Sequence, residues 1–272
     1  MLRTALLCLA AVIALTAQCC KESSSRSLRV SRVEVGRVSW SWTRAADSAP
    51  SREEFEEAAR AAVARLSPFP GGGGAPLVDL QGVYDQSEAE ALVILTARMR
   101  KTGKPVKVET KVVATATLGE GFDSAALVGR GLADMVRALN SMFGIVGGDK
   151  EVWLRALHSA EPDEQILACR LVATNRVEEG VEDLAKLLSD PREQVAEEAA
   201  EALGEIGDER AVSLIIESIG RGDLRSEVRA IETMSKIGGE EARAYLEMTS
   251  IGHEVPEVRR VSADALERMK SL

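Results

Sequence analysis

Residues 190–207, DPREQVAEEAAEALGEIG, predict one amphipathic helix that carries its own start and stop signals. Asp190 is a preferred N-cap residue, Pro191 suits the first helical turn, and Glu193 stands where a capping box needs it. Gly207 follows as a terminator, because glycine adopts positive φ without steric cost. One face carries the apolar residues Val195, Ala199, Ala200, Leu203 and Ile206. Such a face predicts a packing partner, since a single helix cannot bury it alone.

The same spacing recurs along the second half of the chain. Copies that begin at Ile166, Val195, Ser226 and Val258 are separated by 29, 31 and 32 residues. The first copy departs from the pattern at Arg170, where a small residue is expected, which favours a capping repeat. Shorter apolar segments lie between the copies, so that each unit is a helix, a turn and a helix. Units of this kind stack into a solenoid with a shared core.

The segment DPREQVAEEAAEALGEIGDERAVSLI at 190–215 resembles the short HEAT repeat of the phycobilisome-lyase type. The matching features are D-P, the V-x-x-x-A-A-x-x-L spacing and I-G-D, and the resemblance extends over about residues 150–272. It implies an all-α superhelical solenoid of about four helix pairs, which such proteins use mostly as a binding scaffold. It implies no lyase activity, because a fold does not fix a function.

The N-terminus predicts export. An apolar run of 13 residues, Ala5–Ala17, follows Arg3 and has the length of a signal-peptide core. A Cys directly after such a run resembles the bacterial lipoprotein signal, whose Cys becomes acylated, so Cys19 and Cys20 are the candidate lipidation residues. The residue before Cys19 is Gln rather than a small residue, and secretion without an anchor is the alternative. We predict a signal peptide over 1–19, a Ser-rich tether over 20–27 and an extracytoplasmic location in the cell envelope.

Residues 28–147 predict an α+β domain. Strand patterns at 28–42, 76–84, 89–100 and 106–118 accompany helix patterns at 51–66 and 124–143. Ser51 and Glu54 have the spacing of a capping box. This order suits an antiparallel sheet with both helices on one face, followed by a repeat domain over 148–272.

The sequence offers no assembled catalytic or metal site. His158 and His253 fall in different repeats and have no Cys or acidic neighbours at metal-ligand spacing. Cys169 lies in a repeat helix, where we expect it to pack rather than react. We therefore predict a protein that is not an enzyme and holds no cofactor or metal.

Charge is unevenly distributed along the chain. Residues 149–272 hold 16 Lys/Arg and 28 Asp/Glu, a net charge of −12, whereas residues 1–148 have a net charge of +3. Acidic repeats argue against nucleic-acid binding, which demands basic surface. They favour either a basic protein partner or surface acids that serve only solubility.

These patterns predict a lipid-anchored HEAT-repeat scaffold or adaptor that binds a protein partner through the polar side of its second helices. On α-helical spacing we expect Leu203 to be buried and Glu198 to be exposed. The alternative is a small-molecule-binding or enzymatic protein with its site in residues 28–147 and accessory repeats. The candidate partner contacts are Glu197, Glu201, Glu205, Glu232, Lys236, Arg260, Asp264 and Glu267.

Overall fold

The computed structural model describes residues 30–42, 49–70, 75–100, 106–119, 121–219 and 223–270. The predicted signal peptide and tether, with Cys19 and Cys20, lie outside these ranges. Within them, no helix is both long and apolar enough to cross a bilayer.

The first part of the fold is a sheet with two helices. Strands β2, β4, β5 and β6 form a sheet in that order, and β1 pairs with β3 in a separate two-stranded sheet. The bounds are β1 Val30–Ser31, β2 Glu34–Trp42, α1 Arg52–Val63, β3 Phe69–Pro70, β4 Leu77–Gln86, β5 Glu90–Arg100, β6 Glu109–Thr117 and α2 Ser124–Gly147.

Both helices pack on the same face of the sheet, as the sequence predicts. The Phe55 ring of α1 lies over Gly82 of β4, where an added Cβ would come within 2.6 Å of Phe55 Cζ. On α2, Gly131 sits against Leu95 of β5. The predicted capping box forms, since Glu54 N–H donates to Ser51 Oγ at 3.2 Å and Ser51 N–H donates to Glu54 Oε2 at 2.7 Å. The α+β class is therefore confirmed.

The strand directions need one correction. Strands β4, β5 and β6 are antiparallel as predicted, but β2 runs parallel to β4. The cause is the intervening helix α1, which crosses back over the face of the sheet and delivers the chain to β4 in the same direction. The sheet is thus mixed rather than wholly antiparallel.

The second part of the fold is a helical stack. The described residues form four helix pairs, in which the second helices α4, α6, α8 and α10 contact one another in series. The bounds are α3 Lys150–Ala156, α4 Pro162–Thr174, α5 Val181–Leu187, α6 Glu193–Ile206, α7 Arg210–Ser218, α8 Leu224–Ile237, α9 Gly239–Gly252 and α10 Pro256–Lys270. Leu203 is 1% exposed, which confirms its predicted burial. The predicted solenoid class is confirmed.

Two details of the repeat pattern differ from prediction. In the first copy, α4 buries Leu167, Leu171 and Val172 and leaves Ile166 half-buried, so its buried face is not the one predicted from a start at Ile166. Helix α6 begins at Glu193, because the Asp190 carboxylate accepts the Arg192 N–H at 2.8 Å and forms a turn instead of an N-cap.

Candidate functional site: the polar face of the second helices

Helix α6 presents a row of unpaired carboxylates. Glu197, Glu201 and Glu205 are exposed and stand four residues apart, which places them on one helical face. None of the three makes a hydrogen bond or ion pair with any residue that the structure describes. The row predicted from the sequence is therefore accessible and pairs with no cation among the described residues.

Glu198, on the same helix, is not the exposed residue that the sequence predicted. Its carboxylate receives the Nε and Nη2 donors of Arg170 on α4, the first at 2.8 Å, and its side chain is only 15% exposed. Arg170 also donates from Nη1 to the Lys107 carbonyl at 3.1 Å. A bidentate guanidinium–carboxylate pair fixes both position and orientation. Arg170 thus joins two repeats to the region just before β6.

The candidate residues on α8 and α10 differ from those on α6. Glu232 and Lys236 are exposed on α8, and the alkyl stem of Lys236 lies over Gly204 of α6. On α10, Arg260 contacts Glu257 at 2.6 Å and Asp264 at 3.2 Å, and Glu267 pairs with Lys270 at 2.7 Å. The predicted face therefore holds unneutralised acids on α6 and self-neutralised pairs on α10.

A cleft separates α4 and α6 from the sheet face that the two helices α1 and α2 leave uncovered. Its volume is about 510 Å³, and its walls include Gln81 and Thr96 from the sheet and Gln194 and Glu197 from α6. A smaller hollow of about 260 Å³ adjoins Glu201, Glu205 and Lys107. The acidic row of α6 therefore lines a recess between the sheet and the repeats rather than a flat surface.

Two cations on the sheet side of this recess, Lys107 and Arg98, are already engaged, whereas Lys111 lines the recess and its ammonium group pairs with no described residue. Glu109 pairs with both Lys107 and Arg98 at 2.5 Å. Burial acts to raise the pKa of Glu109, but the hydrogen bonds from Lys107 and Arg98 outweigh it and lower that pKa below its usual value. With Arg170 held by Glu198, these cations do not neutralise Glu197, Glu201 or Glu205.

Comparison with known proteins identifies the helical part. Residues 151–231 match the family model described as HEAT repeats. This segment is similar to HEAT repeats. No curated protein matches the sequence. Solved structures that resemble it include two crystal structures titled as engineered proteins of the Northeast Structural Genomics Consortium. The first is 24% identical and covers 54% of this chain and 72% of its own, with a TM-score of 0.32. The second is 22% identical and covers 52% of this chain and 44% of its own, also with a TM-score of 0.32.

The HEAT repeats point to a scaffold fold for protein interaction rather than to a catalytic one. His158 Nε2 lies 3.0 Å from Asp183 Oδ2, and His253 Nε2 lies 3.0 Å from Glu227 Oε1, so each histidine has its own carboxylate. Among the residues described, no group of three His, Cys, Asp or Glu side chains could hold a metal.

Cys169 packs inside the HEAT repeats, as the sequence predicts. Its side chain is buried, and burial together with the nearby Glu198 carboxylate raises the thiol pKa to about 12. The thiol is therefore protonated at neutral pH, and a protonated thiol is a poor nucleophile.

The residues that join the HEAT repeats to the sheet were not predicted. At the start of α4, the Asp163 carboxylate accepts the Thr110 hydroxyl at 2.6 Å and the Lys111 N–H at 3.2 Å, both from β6. The one sequence signal for this junction was Arg170, a long cation where the repeat pattern expects a small residue. Asp163 gave no such signal, because an acid in the first turn of a helix is ordinary.

Proposed function

We propose that this protein is a lipid-anchored HEAT-repeat scaffold that binds a basic segment of a protein partner in the cell envelope. The observation that carries the proposal is the row Glu197, Glu201 and Glu205, which is accessible, unneutralised and recessed beside the sheet. A basic partner segment gains association rate and selectivity from such a row.

The row is better explained by binding than by solubility alone. Like charges four residues apart on a helix destabilise it by about 0.2–0.5 kcal/mol per pair. Elsewhere on the repeats, surface acids such as Glu182 and Glu257 have a cation three or four residues away. Helix α6 has no such cation beside Glu197, Glu201 or Glu205, and this supports a role for the uncompensated charge.

The membrane location rests on the N-terminal sequence. One acyl chain gives only marginal membrane binding, and two or more hold a protein stably. Acylation at Cys19, or else at Cys20, would tether the repeats to the envelope through the Ser-rich residues 20–27. The proposed partner is therefore a protein that is also accessible at an envelope membrane.

Site-specific photo-crosslinking tests the proposed face. A photoreactive amino acid in place of Glu201 should give a partner adduct in intact cells, and the same group in place of Glu247 on α9 is the matched control. Both positions are exposed and acidic, but only Glu201 lies on the second-helix face. The same adducts from both positions, or adducts from Glu247 alone, would contradict the proposal.

A further inference from the structure

Strand β6 forms one edge of the four-stranded sheet, and its backbone alternates between two environments. Met99 N–H donates to the Val108 carbonyl at 2.9 Å, and Leu118 N–H donates to the Ala89 carbonyl at 2.8 Å. The backbone groups of the even-numbered residues along β6 therefore face β5. The Lys111 N–H points the other way and donates to Asp163 Oδ2. In an antiparallel ladder this alternation continues along the strand.

The outer half of this edge has no partner. Val113, Thr115 and Thr117 must present their N–H and C=O groups outward, and the described part of the chain supplies no hydrogen bond to any of them. The pairing of β5 with β6 contains no bulge, and residues 113–117, VATAT, contain no charge and no proline. Charges, proline and bulges are the usual protection of a sheet edge, so this edge is open to another strand.

The opposite edge of the sheet is different. The register of β2 against β4 shifts between Val35 and Val38. A bulge of this kind twists an edge away from further pairing. The sheet is therefore asymmetric, with an interrupted edge at β2 and a regular one at β6.

A cavity of about 550 Å³ adjoins the regular edge, between β6, α2 and the start of α4. Its apolar floor consists of Val112, Ala138 and Met142. Asp163 lies at one end of the cavity, where its carboxylate accepts the Lys111 N–H. A strand edge beside a helix, with an apolar floor between them, is a form of site that receives an extended peptide.

The charges around the cavity indicate which peptide fits. Asp134 is paired with Arg137 at 2.7 Å, and Glu164 accepts the Ser159 hydroxyl at 2.6 Å. The side chain of Glu161 has no bonded partner among the described residues. The cavity is lined by four acids and two cations, so a basic residue in the occupant would be stabilised there.

We propose that an extended segment of a partner protein adds to β6 as a fifth strand beside α2. Its small or apolar side chains face Val112 and Met142, and a basic side chain faces Glu161. A second copy of this chain is the weaker fit, because its own residues 113–117 bring no cation to Glu161. This site is separate from the second-helix face and does not depend on it.

Peptide selection on the full chain tests the proposal. Random decapeptides displayed on phage are selected on the immobilised protein, and the enriched peptides are then measured against Thr115→Pro and Thr115→Val. Proline removes the outward N–H at a position where an edge strand tolerates it, whereas valine keeps that N–H and a similar shape. Equal melting temperatures establish that both variants are folded.

The expected result has two parts. Selected peptides slow amide exchange at Val113, Thr115 and Thr117, and they bind Thr115→Pro roughly tenfold more weakly than the wild type or Thr115→Val, as the loss of a hydrogen bond predicts. Failure to select a peptide, or equal affinity for all three proteins, would overturn the proposal. Protection of the same amides by the protein alone, rising with its concentration, would assign the edge to a second copy instead.

The two proposed sites can be distinguished in the same assay. Reversal of Glu197, Glu201 and Glu205 to Lys should leave the affinity of the selected peptides unchanged, since those residues do not line the β6 cavity. Loss of peptide binding in that variant, with Thr115→Pro unaffected, would place the peptide on the second-helix face. That outcome would overturn the β6 site and leave the proposed function standing.

Discussion

Glu198 and Glu201 lie three residues apart on α6, but their side chains have different environments. Glu201 is exposed and unpaired with any described residue, whereas Glu198 is held by both guanidinium donors of Arg170. Sequence spacing alone placed both on the polar side of the helix. The difference depends on which residue the neighbouring repeat offers, and only the packed structure brings Arg170 into position.

We expect Glu198→Ala to lower the free energy of unfolding by about 1–3 kcal/mol, because it leaves a half-buried guanidinium without its partner. Glu201→Ala should change it by no more than about 0.5 kcal/mol, as exposed positions do. Denaturant titration of the two variants measures both values. Equal losses would mean that the pair with Arg170 does not form.

Much of the residue-level pattern could be predicted because it depends on local spacing. The burial of Leu203, the packing of Cys169 and the cap at Ser51 follow from positions within one helix. The links made by Arg170 and Asp163 could not be predicted, since they join segments 63 and 53 residues apart. Helical periodicity carries no information about such distant partners.

Among the helices, α6 and α7 are each preceded by a turn with the same hydrogen-bond arrangement. In each, an Asp accepts the N–H of an Arg two residues later and binds its guanidinium: Asp190 with Arg192, and Asp208 with Arg210. Arg192 also reaches back to the buried Gln165 at 2.6 Å. The turn at Asp190 therefore determines where α6 begins and links α6 to the preceding repeat by a hydrogen bond.

This arrangement predicts a pH dependence of stability. The Arg192 guanidinium holds the pKa of Asp190 below its usual value. The ionised Asp190 carboxylate therefore stabilises the fold in full above the unfolded-state pKa of about 3.9, and this contribution is lost as the pH falls through the lowered folded-state pKa. Asp190→Asn should destabilise the protein at pH 7, and the difference from the wild type should shrink in acid. Asp208→Asn should behave alike, since Arg210 lowers the pKa of Asp208 in the same way.

Thermal unfolding between pH 2.5 and pH 7 measures this difference for both variants. A gap between wild type and Asp190→Asn that stays constant across the range would contradict the role of the charge. In that case the turn would depend only on the hydrogen bond from the Arg192 N–H, which asparagine keeps.

The parallel pairing of β2 shows the limit of element-level prediction. The order of strand, helix and strand agrees with the prediction, but the predicted sheet is antiparallel throughout, whereas β2 runs parallel to β4. A helix between two strands changes the expectation, because the chain must return to the same end of the sheet. The domain boundary predicted near residues 147 and 148 stays a prediction.

For the whole molecule, the proposed function requires a membrane anchor before the sheet and the acidic helical stack. We expect the double substitution Cys19→Ser and Cys20→Ser to release the protein from membranes into a soluble extracytoplasmic fraction, because no thiol remains at the predicted acylation site. Cell fractionation with immunoblotting measures the distribution. Cys169→Ser is the control and should stay with the membranes, and a double variant that still sediments after a high-salt wash would contradict the anchor.

Capture of envelope proteins is the most direct test of the proposal that the acidic row on α6 binds a protein partner. The experiment compares three proteins at low and high salt: the wild type, a first variant and a control variant. The first variant has Glu197, Glu201 and Glu205 reversed to Lys, and the control has Glu217, Glu247 and Glu254 reversed to Lys. The control makes the same change in charge at exposed residues away from the second-helix face. We expect the first variant alone to lose a partner that wild type captures, and we expect high salt to weaken this capture. Unchanged capture by that variant at both salts would contradict the claim.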